Sequence, residues 1–249
     1  MKLFKRVCAA DVDRRILMRQ SSRRLQFTHF LVDKVREIRF RFLEINEVCQ
    51  ESRVRFLAQQ EQPQGNGQLV NYRFAAFSSL IQTIKDIHPI VFELNISWSS
   101  LSHIRHFQFM HSIRNAITHD GNSVINLWVD GRYYVACDFV RLGQNQKPVM
   151  VKVPTEDIHT IILEFTEDLC SYLYNACSQF LGDESLVGPL YGQEFFSSAI
   201  NHSAIPQFAK CLYGELGDSD FQQVSSEPLS EALEELGSLA ALCREVSRK

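Results

Sequence analysis

At 249 residues and a net charge of −3, the chain is long enough to bury the core of one or two domains. Its 45% hydrophobic and 22% charged residues are close to the average of folded globular proteins, which excludes disordered and fibrous classes. No segment approaches the roughly 18 consecutive apolar residues of a membrane-spanning helix, and charged residues interrupt any signal peptide near the amino terminus, so we expect a soluble, cytoplasmic protein without membrane contact.

The charges are distributed unevenly along the chain. Residues 1–55 hold 14 Lys or Arg against seven Asp or Glu, whereas residues 183–249 hold four against eleven. A basic segment can bind phosphates, but solvated helix faces give similar counts, so charge alone leaves both interpretations open. Seven scattered cysteines without a Cys-x-x-Cys pair predict free thiols, and we expect neither a metal nor another cofactor.

Apolar residues at three- and four-residue steps predict two long amphipathic helices at the start of the chain. The first spans about 20–60 and the second about 69–87, with Pro89 shortly after it. A third helix is expected from an N-cap at Ser99 or Ser100 to about residue 119, where Gly121 ends it.

A β-hairpin is predicted after the third helix. Segments 124–129 and 132–139 flank Asp130-Gly131, the dipeptide favoured in type I′ turns. With one further short strand, this insertion covers about 124–153. Thr155 and Asp157 precede a fourth helix, which ends near residue 182, where composition changes. We therefore expect a helical domain over residues 1–182 and an acidic, helical extension over residues 183–249.

The third helix carries a polar face that can do chemistry. On a helical wheel its apolar side opposes a side that holds His111, Asn115 and His119, with Arg114 on the flank. Asn115 and His119 are four residues apart, and the long Arg114 side chain can swing toward them. These three residues can therefore converge on one ligand, and His111 is a candidate second titrating group.

These residue types suit RNA cleavage without a metal. RNA supplies its own nucleophile, the 2′-hydroxyl, so the reaction needs proton transfer and stabilisation of the charge on the phosphorane. Histidine transfers protons near neutral pH, and a guanidinium binds phosphate oxygens in bidentate fashion. The competing interpretation is a chance pairing, because Arg and His at this spacing occur on many exposed helices.

The segment Ile113-Arg-Asn-Ala-Ile-Thr-His119 resembles the signature of the HEPN superfamily, in which Arg is followed after four to six residues by His. That signature lies near the end of the third helix of a four- or five-helix bundle, frequently with a polar residue after the Arg. The helix order over residues 20–182 is similar too. The resemblance implies a mainly α, HEPN-like up-and-down bundle, with the β-hairpin inserted after the motif helix.

The resemblance also implies a function. Many active members of the superfamily are metal-independent endoribonucleases of toxin or phage-defence systems, and they dimerise so that two motifs share a cleft. Carried over, Arg114 and His119 are catalytic and Asn115 is their polar helper, with His111 and Asp120 as auxiliary or RNA-binding residues. RNA, a second copy of the chain and, for a toxin, an antitoxin protein are the partners so implied.

The sequence departs from the family pattern in three places. The hairpin is an insertion relative to a plain bundle, the acidic extension has no counterpart in the family pattern, and Gly121 stands where some members carry a Tyr that a partner enzyme modifies.

The alternative function is a non-catalytic HEPN-type module, which binds nucleotide, RNA or a protein through the same groove. A third interpretation makes the hairpin and the extension an assembly surface.

Overall fold

The structure, a computed structural model, describes residues 9–94, 96–191, 193–215 and 226–248. It is mainly helical, as predicted, with two small antiparallel hairpins. The amino terminus and parts of the predicted acidic extension lie outside the described residues. In chain order the elements are α1 (Ala9–Leu57), α2 (Asn66–Phe92), α3 (Phe107–Asp120), β1 (Leu127–Val129), β2 (Arg132–Tyr134), β3 (Phe139–Leu142), β4 (Pro148–Val151), α4 (Ile158–Ser178), α5 (Gln193–Ala199), α6 (Gln207–Glu215) and α7 (Pro228–Ser247).

Helices α1 and α2 pack against each other through the apolar faces that their periodicity predicted. The fully buried positions of α1 include Val35, Phe42 and Ile45, and those of α2 include Phe74 and Phe77. At about 1.5 Å of rise per residue, the 49 residues of α1 make a helix roughly 70 Å long. Burial of these large side chains along one stripe holds the pair together.

The predicted end of the second helix is wrong, because Pro89 lies inside α2 and the helix continues to Phe92. Proline has no amide hydrogen, so the carbonyl of Lys85 loses its helical partner. This loss falls in the last turn, where Val91 and Phe92 are buried in the core. Glu93, with φ of 55°, then ends the helix.

The predicted start of the third helix is also wrong. Neither Ser99 nor Ser100 is the N-cap. Ser97 instead accepts a hydrogen bond from the Ser100 amide and caps a short 3-10 turn over Trp98–Leu101. The chain then turns, and His106 in a left-handed conformation, with φ of 59°, precedes α3. The end of the helix is as predicted, since Gly121 has φ of 66°.

The first hairpin confirms the predicted turn, and Asp130 and Gly131 have φ of 52° and 77°, as a type I′ turn requires. The single strand predicted over residues 132–139 is wrong. The structure divides it between β2 and β3, and β3 pairs with β4 in a separate hairpin. Asp138 stands at the division, where its carboxylate accepts the amide hydrogen of Val153, the second residue after β4.

Helices α4 and α7 complete the core. Helix α4 follows Thr155 and Asp157 as predicted. Of these two residues Asp157 is the N-cap, because its carboxylate accepts the amide hydrogens of His159 and Thr160 at 3.0 and 3.2 Å. Helix α7 packs on α4 and α1, and its Leu236 and Leu239 are buried in the same core as the other helices. The last helix of the expected extension is therefore part of the helical body.

The uneven charge distribution has an intramolecular explanation. Arg36 and Arg39 of α1 form ion pairs with Glu231 and Glu235 of α7, the closest at 3.0 Å. Arg24 pairs in the same way with Asp183 after α4. Three arginines of the basic segment are thus paired with acids of the last part of the chain and are engaged within the fold.

Two further properties follow from the described ranges. Their six cysteines are all free thiols, four of them buried. None of their helices is long and apolar enough to cross a membrane.

Candidate functional site

Helix α3 is fixed by its apolar side, and this determines which residues it presents. Phe109, Ile113 and Ala116 are buried against the core. Arg114 and Asn115 are consequently half-buried at the edge of that contact, and His119 is exposed in the last turn. Side chains at three- and four-residue steps share a face, so Asn115 and His119 lie one turn apart on the polar side.

The guanidinium of Arg114 turns toward this polar side. Its Nη1 donates a hydrogen bond to Asn115 Oδ1 at 2.8 Å. The Arg114 Nε is buried without a hydrogen-bond partner within the described part of the chain. A buried donor left unpaired costs free energy.

His111 lies on the same side, one turn before Asn115. Asn115 Nδ2 is 3.4 Å from His111 Nε2, a long contact in which the amide donates to an unprotonated ring nitrogen. Burial lowers the pKa of His111 below its usual 6.5, and the positive charges of Arg141, Arg114 and Lys85 lower it further. His111 is therefore a neutral ring at neutral pH, packed at 4.4 Å between ring centroids against Trp98.

Three of these neighbours were not predicted from the sequence. Arg141 comes from β3, Lys85 from α2 and Trp98 from the 3-10 turn, and the Lys85 ammonium lies 4.6 Å from the centre of the Trp98 ring. Arg141 Nε, like that of Arg114, is buried without a partner among the described residues. One weak signal for the orientation of Arg141 is present in the sequence, because alternation along a strand places Arg141 on the same face as Phe139.

Asp120 connects the second hairpin to α3. Its Oδ2 accepts a hydrogen bond from the Leu142 amide at 2.8 Å, which holds β3 beside the end of the helix. This contact carries the neighbouring Arg141 toward the polar side of α3. Asp120 thus has a structural role in assembling the site, and its role in RNA binding stays a prediction.

The resulting surface is electropositive. Lys85, Arg114 and Arg141 surround His111, and none of the ion pairs within the described ranges involves these three cations. We refer to Lys85, His111, Arg114, Asn115 and Arg141 together as the cationic cluster. Unpaired guanidinium groups beside a histidine suit the binding of phosphate oxygens.

The structure places the predicted residues as follows. It brings Asn115 into contact with both Arg114 and His111, and it leaves His119 exposed one turn beyond Asn115. No group of three His, Cys, Asp or Glu side chains within the described ranges is arranged to hold a metal ion.

The chain was compared with family models, with curated proteins and with solved structures, and none of the three comparisons gave a match.

Proposed function

We propose that the chain is a metal-independent endoribonuclease of HEPN type, acting as a toxin or phage-defence effector, in which α3 of two copies forms one active site. The observation that carries the proposal is the hydrogen bond from Arg114 to Asn115. On an ideal helix Arg114 and His119 lie about 140° apart, whereas Asn115 and His119 lie about 40° apart. The bond therefore turns the guanidinium toward the side of the helix that carries His119.

The proposed reaction is an internal transesterification. The ribose 2′-oxygen forms a bond to phosphorus, the bond from phosphorus to the 5′-oxygen breaks, and the products end in a 2′,3′-cyclic phosphate and a 5′-hydroxyl. One imidazole accepts the proton of the 2′-hydroxyl, and another donates a proton to the departing 5′-oxygen. The Arg114 guanidinium stabilises the negative charge of the phosphorane, and Asn115 holds that guanidinium in place.

The second imidazole comes from the partner copy in this proposal. Within one chain, His111 and His119 are eight residues apart, or about 12 Å along the helix axis, which is too far for both to contact one phosphodiester. His111 is also packed against Trp98. Two copies of His119, related by a two-fold axis, supply a base and an acid on opposite sides of the phosphate.

Cleavage of RNA in the presence of EDTA tests the proposal. We expect the protein to convert a single-stranded RNA to fragments with 2′,3′-cyclic phosphate ends, and we expect His119→Ala to reduce the rate by about 1,000-fold, since general acid–base catalysis contributes factors of this size. His119 is exposed, so the variant should keep the wild-type melting temperature.

A matched control is His202→Ala, which removes another exposed histidine far along the chain from α3 and should cleave at the wild-type rate. Retained cleavage by His119→Ala, or cleavage that stops when EDTA is added, would contradict the proposal. Growth arrest on expression of wild-type protein but not of His119→Ala would support the effector role.

A second candidate function is a non-catalytic module that binds RNA or nucleotide phosphates. The positive charges of Lys85, Arg114 and Arg141 around His111 favour it, because phosphate binding needs cationic donors and no proton transfer. Saturable RNA binding without any fragments would identify this function.

A further inference from the structure

We propose that the chain has a second ligand site, separate from the cationic cluster, that binds a small organic anion with an apolar body. The site is a cavity of about 640 Å³ between the end of α1, the turn of the first hairpin, the start of α4 and the end of α7. Its volume falls within the roughly 300–1,000 Å³ typical of small-molecule sites. We call it the α1–α4 cavity.

One wall of the α1–α4 cavity is held rigidly. Gly131, in the turn of the first hairpin, is so close to α1 that a Cβ there would lie 2.8 Å from Phe56 Cβ and 2.9 Å from Arg53 Cα. Trp128 of the same hairpin donates a hydrogen bond to Ser52 Oγ at 3.0 Å and packs edge-to-face on Phe56. The turn is thereby fixed on α1, and the cavity is preformed.

The two carboxylates that line the cavity are already satisfied. Asp157 accepts two backbone amides and the Thr160 hydroxyl of α4 and pairs with Arg132 at 2.8 Å. Glu164 pairs with His106 and Arg105, at 2.7 and 3.3 Å. Their negative charges are therefore compensated by neighbouring groups.

The two arginines that line the cavity have N–H donors that are not used in hydrogen bonds within the described residues. Arg53 is exposed and has neither a hydrogen bond nor an ion pair to any residue in the described ranges. Arg132 uses Nη1 for Asp157, while a guanidinium has five N–H donors. Two arginines and two carboxylates line the α1–α4 cavity, and Arg53 is the one of these four charges without an ion pair within the described residues, which favours an anion beside it.

The apolar residues of the lining indicate which chemical character the rest of the ligand should have. Leu163 is buried in the cavity wall, and Val54 and Leu57 stand at its α1 side with 64% and 68% of their surface exposed. Such large exposed apolar side chains beside a cavity favour an apolar ligand body, because covering them releases water. We therefore expect a ligand with a single anionic group near Arg53 and an apolar body that packs against α1.

The dye 8-anilinonaphthalene-1-sulfonate is a suitable probe, since it combines an apolar aromatic body with one sulfonate. We expect saturable fluorescence enhancement with wild-type protein and a dissociation constant about fivefold higher for Arg53→Gln, which removes a charge-assisted contact. The uncharged dye N-phenyl-1-naphthylamine should bind both proteins within twofold. Arg55→Gln, on the same helix but outside the cavity lining, is the matched control and should bind both dyes as the wild type does.

A second variant, Val54→Glu, places a negative charge at the cavity and should weaken the sulfonate dye at least as much. Arg53 and Val54 are both exposed, so thermal unfolding should show intact proteins. Sulfonate binding that neither variant changes would place the dye elsewhere, for example on the exposed Phe195 and Phe196 of α5, and would overturn the proposal. An equal loss of both dyes in Arg53→Gln would overturn the assignment of the anion to that side chain.

Discussion

Helix α3 has arginines in opposite circumstances at its two ends. Before its start, Arg105 donates hydrogen bonds to Asp168 at 2.8 and 2.9 Å and to Glu167 at 2.9 Å, and it pairs with Glu164 as well. Near its end, Arg114 donates only to the neutral Asn115 oxygen, and its Nε is buried without a partner within the described residues.

These partners distinguish Arg105, whose charge is paired within the fold, from Arg114, whose charge is available to a ligand. The hydrogen bond to Asp168 raises the pKa of Arg105, and Glu167 and Glu164 add to the effect. Three carboxylates thereby fix the start of α3 on α4. The end of α3 faces cations instead, since Arg141 and Lys85 act with Arg114 on His111. The same type of side chain thus pairs with carboxylates before the start of α3 and has no anionic partner within the described residues farther along the helix.

The largest expected effect is a difference in RNA-cleavage rate between variants of Arg114 and Arg105. We expect Arg114→Gln to lower the rate of RNA cleavage by about 100-fold or more, since removing one donor that stabilises transition-state charge has an effect of this size. Arg105→Gln should cleave RNA within a few-fold of the wild-type rate. Initial rates at saturating RNA, measured on both variants, test this, and equal losses would refute the division.

A smaller effect is expected on RNA binding by the other members of the cationic cluster. Lys85→Gln and Arg141→Gln should each weaken binding several-fold and reduce the slope of log affinity against log salt by about 0.7, the value for one phosphate contact on single-stranded RNA. Fluorescence anisotropy in the His119→Ala background measures binding without cleavage. A variant whose salt slope equals that of the wild type would show that the replaced cation does not contact the RNA backbone. Arg55→Gln is the control, and its salt slope should equal that of the wild type.

For the free energy of unfolding we expect the opposite order, with the larger loss in the Arg105 variant. Arg105→Gln should lower the free energy of unfolding by about 1 kcal/mol, because its side chain is 43% exposed and solvent screens its ion pairs. Arg114→Gln should leave stability within about 0.5 kcal/mol of the wild type, because it removes one hydrogen bond to the adjacent Asn115 together with a buried Nε that has no partner within the described residues. Urea unfolding monitored by circular dichroism compares the two, and a greater loss in Arg114→Gln would invert our assignment.

The smallest effect concerns pH. Burial is the main cause that lowers the pKa values of His88 and His159 below 6.5, so the unfolded chain binds protons more readily than the folded one. Stability should therefore fall as pH decreases below 6.5 and level off below the folded pKa values. His159→Gln, which can still donate to Asn46, should flatten this fall in urea unfolding between pH 7.5 and 5.5, whereas exposed His202→Gln should not.

The helices could be predicted where burial imposes a simple period. Residues such as Phe42 and Phe74 recur on one face because that face is the core, and the Asp130-Gly131 turn follows from backbone conformations that few other dipeptides adopt. The predicted end of α2 failed because Pro89 is tolerated in a last turn that the core holds. The predicted start of α3 failed because Ser97 caps a turn that has no helical period.

From the sequence, only the residues of the site that lie on α3 could be predicted to come together. Arg114, Asn115 and His111 share a helix, so their spacing alone brings them together. Lys85 and Arg141 reach the same place from α2 and β3, through contacts between residues distant in sequence. No local pattern reports such contacts, and Arg141 lies beyond the strand predicted over residues 132–139, so that prediction assigned no orientation to its side chain.

The close approach of Gly131 to α1 makes the first hairpin a poor place for engineering. A tag, a fluorophore or a protease site inserted between residues 130 and 131 would have to lift the turn away from the α1 backbone. It would also disturb Trp128, whose indole donates to Ser52. Reporter groups are better attached at Cys211, an exposed thiol on α6, where the helical body would be left undisturbed.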